Sequence, residues 1–227
     1  MLNLGQVPQI VTAIGGLGTA AFGLVDATKA FAGGVNRIGF GAIAKTVTAL
    51  TPGEKRNALS QENVLATLKA NWYNGTDLGS QKSIAKSLIK LNLNAANAAE
   101  VAKATGVDAD VLTKAADQMA GGASLVAPQS DVYARFDMIV TALLDETYQR
   151  ADNRYRNWTR AIAAMVAIGL AIFGGLAFNQ HVQAGQHTIS LGESVLIGLL
   201  ATPLAPIAKD LSTALATAVN TMQKVKK

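Results

Sequence analysis

Apolar residues run along this chain in two rhythms: long uncharged blocks near the two ends, and short stripes at helical spacing in between. The first block, Val7–Val25, is nineteen residues without a charge; the second, Ala161–Phe178, is eighteen small or apolar residues. The third, Ser194–Ala208, is fifteen residues interrupted by Pro203 and Pro206, and it reaches spanning length if it starts near Ile189 with Glu193 at the outer interface. About 20 residues of helix cover roughly 30 Å of hydrocarbon. The blocks therefore predict three transmembrane helices, at about 7–25, 161–178 and 194–208, the last kinked by its prolines.

Between the first two blocks the stripes predict short helices. Ser60 caps a helix over 61–73 whose Val64, Leu65, Leu68 and Trp72 share a face, and Asn74-Gly75 ends it. Ser80 opens a second, with Ile84, Leu88 and Leu91 inward and Lys82, Lys86 and Lys90 outward. Residues 95–105 and 108–120 make a hairpin around Gly106, capped by Asp108 and stopped by Gly121-Gly122. No segment sustains strand alternation. Four short helices in about 80 residues bury a modest core, so this part is expected to lean on membrane-proximal helices or on a neighbouring subunit. From Ser130 there is no Gly or Pro until Gly169, which predicts one helix over 130–178, about 73 Å long, running from cytoplasm into the second span.

The expected fold is an all-α integral membrane protein with a small helical cytoplasmic domain between its first and second spans. Its segments are an outside N-terminus with the first span (1–28), a Gly-rich segment (29–50), the cytoplasmic domain (51–129), the long helix (130–178), an outer loop (179–193), the third span (194–208) and an amphipathic tail (209–227).

Charge orients these segments. No Lys or Arg occurs in residues 1–28 or between Arg160 and Lys209. Lys29, Arg37 and Lys45 follow the first span, Arg150, Arg154, Arg156 and Arg160 precede the second, and Lys209, Lys224, Lys226 and Lys227 follow the third. The positive-inside rule then places the N-terminus outside and the C-terminus in the cytoplasm of a multi-pass, bacterial inner-membrane protein. A cleaved signal peptide is disfavoured, because Met1–Gln9 carries no charged side chain. A net charge of +5 and a pI near 9.5 raise the question of nucleic acid. Residues 51–150, however, hold ten cations against eleven anions, so the excess lies beside the membrane. Anionic lipid head groups on the cytoplasmic side account for it, and no nucleic-acid partner is called for.

Candidate sites follow from this frame. Small residues recur at Gly15, Thr19, Gly23 and Ala27, at Ala163, Ala167, Ala171 and Gly175, and at Ser194, Gly198 and Thr202, a spacing that lets helices pack closely in lipid. Tyr148, Arg150, Arg154, Tyr155, Arg156, Trp158 and Arg160 form an aromatic–basic collar for the head-group layer, with Lys29, Arg37, Lys45 and Lys209 as its companions. The stretch Phe31–Leu50 reads as an interfacial or re-entrant segment touching lipid phosphate, since it lacks P-loop spacing. Leu211, Leu215, Ala218, Met222 and Val225 form an apolar seam along the tail. The pair at 95–119 has helix-turn-helix spacing, but its second helix offers Asp108, Asp110 and Asp117 against Lys114 alone, so it reads as an ordinary hairpin. His181, His187 and Glu193 read as a solvated loop rather than a metal site, and Asp26 as the partner of Lys29.

The chain has no cysteine, and no spacing suggests a nucleophile with its base. It is expected to be no enzyme and to need no cofactor or metal. The expectation is a membrane scaffold or accessory subunit that forms a homo-oligomer or packs into a larger complex. A pore-forming channel or transporter subunit acting as an oligomer is the alternative, weakened by the lack of a polar stripe along any span.

Overall fold

The structure, a computed structural model, describes residues 7–31, 33–53, 59–181 and 188–207, and these are helical with no strand among them. The α-helices are α1 (Val7–Ala27), α2 (Arg37–Leu50), α3 (Gln61–Tyr73), α4 (Leu78–Asn92), α5 (Ala98–Thr105), α6 (Ala109–Ala120), α7 (Gln129–Asn179) and α8 (Leu191–Ile207). The chain forms two compact units, one of residues Asn36–Tyr155 and the other of Met1–Val35 with Arg156–Lys227, and α7 contributes to both.

In the Asn36–Tyr155 unit the helix starts follow capping chemistry. The Ser60 hydroxyl accepts from Asn63 N at 3.3 Å, Asp77 from Ser80 N at 2.9 Å and Asp108 from Val111 N at 2.9 Å. Asp77, not Ser80, is therefore the cap of α4. Gly106, at φ 71°, ends α5 in the left-handed region and donates to Ala102 O at 2.7 Å. The core gathers Ile43, Val47 and Leu50 of α2, Val64, Leu68 and Trp72 of α3, Ala85 and Ile89 of α4, Val101 and Ala102 of α5, Leu112 and Ala116 of α6, and Phe136, Val140, Leu144, Tyr148 and Ala151 of α7.

The stretch expected as a Gly-rich interfacial segment, residues 29–50, holds two short 3-10 turns and then α2, whose Gly39, Ile43, Val47 and Leu50 are buried. The spacing of those apolar positions is that of an amphipathic helix, a signal outweighed in the sequence by the local glycine content. The helical unit accordingly runs over 36–155 rather than 51–129 and draws on α2 and α7 for its core. On α4, Ile84 and Leu88 pack against the core as expected, but the fully buried positions are Gln81, Ala85 and Ile89, and Leu91 is exposed.

The start of α2 is fixed by a backbone break. Ile38 (ψ 127°) and Gly39 (φ 102°) leave helical geometry, and a Cβ at Gly39 would fall 2.7 Å from Ala151 O and 2.9 Å from the Trp72 ring. Trp72 Nε1 donates to Asn36 O at 2.7 Å, while Asn36 Nδ2 donates to Tyr73 O at 2.9 Å. The indole lies between Tyr148 and Tyr155, with ring centroids 6.5 and 6.1 Å away.

Two helical stretches are long and apolar enough to cross a membrane, Ile10–Ala30 and the apolar part of α7, while α8 is a shorter apolar helix. Of either apolar window, 22 % is buried within the chain.

Candidate membrane-spanning and helix-packing site

In the apolar unit, α1, α7 and α8 meet through their smallest residues. A Cβ at Gly18 would fall 2.0 Å from Ala201 O, one at Gly198 2.4 Å from Ile168 Cα, and one at Gly175 2.5 Å from Ser194 Oγ. The first two meet backbone atoms and are open only to glycine, while the third meets the Ser194 hydroxyl. Around them Ala21, Ala163, Ala167 and Ala201 are fully buried, with Ile14, Leu17, Val166 and Leu170 packed alongside. Large side chains point the other way: Phe173 is 77 % exposed, and Met165, Leu176, Leu196, Leu199 and Leu200 are also exposed. Small residues inside and large apolar ones outside reverse the pattern of a protein built for water.

The expected ladders fare differently. Ala163, Ala167, Ala171 and Gly175 of α7 are all buried, as are Ser194 and Gly198 of α8, with Thr202 half-buried. On α1 only Gly15 turns inward; Thr19, Gly23 and Ala27 are exposed, and the packed face is Gly15, Gly18, Ala21 and Val25. The sequence reading missed Gly18 because small residues occupy every face of α1.

Polar groups tie the end of α7 to the residues that lead into α8. Asn179 Nδ2 donates to Ile189 O at 2.7 Å, and Ile189 N donates to Asn179 Oδ1 at 2.8 Å. Ser190 and Glu193 form a capping box at the start of α8: Ser190 N donates to Glu193 Oε2 at 2.7 Å and Glu193 N to Ser190 Oγ at 3.2 Å. Glu193 is thus engaged in shaping a helix end. His181 Nδ1 lies 2.9 Å from Ala177 O, and among the described residues no group of three or more metal-binding side chains comes together. His187, Lys209 and the seam at Leu211, Leu215, Ala218, Met222 and Val225 lie outside the described residues.

The collar divides. Tyr148 is 1 % exposed and belongs to the core, where burial holds its phenol above the usual range; it is no head-group anchor. Tyr155 is half-buried against Trp72, and Arg150 pairs with Glu146. Arg154, Arg156, Trp158 and Arg160 are exposed, as are Arg37 and Lys45, and Lys29 pairs with Asp26.

Sequence reasoning also overlooked a charged seam. Lys82 meets Asp145 at 2.5 Å, and Lys86 and Lys90 share Asp137 at 2.7 and 3.0 Å. The three lysines face α7 instead of open solvent. Burial opposes ionisation of Asp137, but the hydrogen bonds from Lys86 and Lys90 outweigh it and hold the carboxyl below 3.8. The hydrogen bond to Asp137 raises the Lys90 ammonium above 10.5, and the bonds from Ser80 lower Asp77. The signal was present as lysines four apart on α4 and aspartates eight apart on α7. Beside this seam, between α4 and α7, opens a cleft of about 360 Å³.

No protein family, curated protein or solved structure matches this chain.

Proposed function

We propose that this chain is a multi-pass inner-membrane protein that works as a non-catalytic scaffold or accessory subunit, assembling with itself or within a larger membrane complex. One observation carries the reading: the apolar unit packs Gly and Ala inward while Phe173, Leu176, Leu196, Leu199 and Leu200 remain exposed. Burying a Leu or Phe side chain is worth about 1.5–3 kcal/mol, so lipid is the solvent that suits this surface. The proposal includes three spans, α1, the second part of α7, and α8. At 1.5 Å per residue α8 covers roughly 26 Å, close to a bilayer's hydrocarbon thickness with modest local adjustment.

The orientation proposed is N-terminus outside and C-terminus inside. It is supported by the exposed Arg154, Arg156, Arg160 and Trp158 just before the apolar part of α7, groups suited to anionic head groups. We place self-assembly on the outward face of α1, where the small residues Gly16, Thr19, Gly23 and Ala27 are exposed.

The native chain has no cysteine, so single introduced cysteines report topology cleanly. In intact cells Gln183→Cys should react with an impermeant maleimide and Ser83→Cys should not. Labelling at Ser83→Cys and none at Gln183→Cys would reverse the orientation. Gentle extraction followed by native mass spectrometry should give an oligomer or a larger complex. A lone monomer would sink the scaffold reading, and a ring with a hydrated axis would favour a pore.

A further inference from the structure

The chain passes between its two compact units after Val35 and after Tyr155. Within the Asn36–Tyr155 unit one indole ties both points together. Trp72 Nε1 donates to Asn36 O at 2.7 Å, and its ring centroid lies 6.1 Å from that of Tyr155. Next to each point stands an arginine, Arg37 after the first and Arg154 before the second. Both are exposed, and among the described residues neither meets an acidic side chain. Asp152, two residues before Arg154, already has a partner. The two backbones are anchored at one contact, where a Cβ at Gly39 would fall 2.7 Å from Ala151 O. From there, two extended residues put Arg37 at most about 7 Å away, and three helical residues advance Arg154 by about 4.5 Å. Lys69 adds a third cation, held 5.4 Å over the ring of Tyr73, whose carbonyl accepts from Asn36 Nδ2.

Given the membrane reading, on which this rests, we infer that Arg37 and Arg154 together grip the phosphodiester of one anionic phospholipid. Each guanidinium is a planar fork of N–H donors that matches two oxygens of a phosphate group. On α7, Arg154 precedes the apolar stretch that starts at Ala161 by seven residues, about 10 Å of helix, which is the depth of a head-group layer. A choline or ethanolamine head group would bring its own cation to a place that already holds three, so a lipid of net negative charge is preferred.

The probe is phosphatidylglycerol, added to the full-length protein in neutral detergent and compared with phosphatidylcholine. The wild-type Tm should rise further with phosphatidylglycerol and saturate. Arg37→Gln and Arg154→Gln should each lose most of that extra rise and keep the wild-type Tm in phosphatidylcholine, since both side chains are exposed and unpaired. The double variant should lose little more than either single one, because two groups that share a partner are coupled. Lys45→Gln removes an exposed cation farther along α2 and should keep the rise. Equal losses in all three single variants, the mark of diffuse charge attraction, overturn the inference. So does an unchanged rise in either arginine variant, and so do losses that simply add in the double variant. An equal rise with inorganic phosphate overturns the lipid as the source of the group. Washing membranes with alkaline carbonate checks the spanning reading separately. A chain released by the wash fails that reading, while a retained chain without the lipid preference fails this inference alone.

Discussion

Gly18 lies so close to Ala201 that a Cβ would come within 2.0 Å of the Ala201 carbonyl oxygen, whereas nothing stands within 4 Å of the same point at Gly16. The two glycines are two residues apart on α1 and have opposite duties. Gly18→Leu should force α1 off α8, at the roughly 1–3 kcal/mol typical of overpacking. Gly16→Leu should leave the fold intact and disturb only what the outward face touches. Thermal unfolding in detergent separates them, and equal Tm losses would contradict the packing described here.

The latch at Trp72 predicts a second difference. Trp72→Phe keeps an aromatic ring between Tyr148 and Tyr155 but removes the donor to Asn36 O. A buried acceptor left without its donor costs about 1–3 kcal/mol. Gly39→Ala should be at least as harmful, since φ 102° is closed to a side chain and the Cβ would meet Ala151 O. Chemical denaturation of both variants should show lower midpoints, and an unchanged Gly39→Ala midpoint would refute the backbone break.

The α4–α7 seam predicts how stability follows pH. Asp137 is held below 3.8 in the fold, so the unfolded chain takes up its proton first. Its contribution is complete above about 3.8 and is lost as pH falls through the lower folded value. Lys90 is raised above 10.5, so its contribution is complete below that value and is lost as pH climbs through the folded one. The side chains are 28–34 % exposed, and solvent screening keeps each pair near 0.2–1 kcal/mol. Asp137→Asn should lower stability at neutral pH and shrink its loss on acidification. An acid limb identical to wild type would exclude the seam as its source.

At α8 the capping box predicts that Glu193→Ala frays the helix start, at about 0.5–2 kcal/mol, while Glu193→Gln, which keeps an acceptor for Ser190 N, largely preserves it. Hydrogen exchange at the first turn of α8 reads the difference. If Gln proves as damaging as Ala, the carboxylate charge rather than the cap is what matters.

Several elements were legible in the sequence because one local rule decided each of them. The long helix followed from the Gly- and Pro-free run after Ser130, and the caps at Ser60 and Asp108 from their side chains. Small residues are so frequent in the apolar stretches that their spacing alone did not decide which ladder faces a neighbour; on α7 the buried positions are Ala163, Ala167, Ala171 and Gly175. On α1 small residues surround the helix, so composition alone left the packed face undetermined, and contact with Ala201 selected Gly18. Tyr148 misled because aromatic residues serve both bilayer interfaces and cores; the α3 indole claims it for a core. The α4–α7 seam demanded pairing between residues 47 to 63 positions apart, which no local pattern encodes.

The two hydrogen bonds between Asn179 and the Ile189 backbone fix where the chain leaves α7 and where it re-enters α8. Both bonds come from one side chain, so a single Asn179→Ala substitution would untie the end of α7 from the approach to α8.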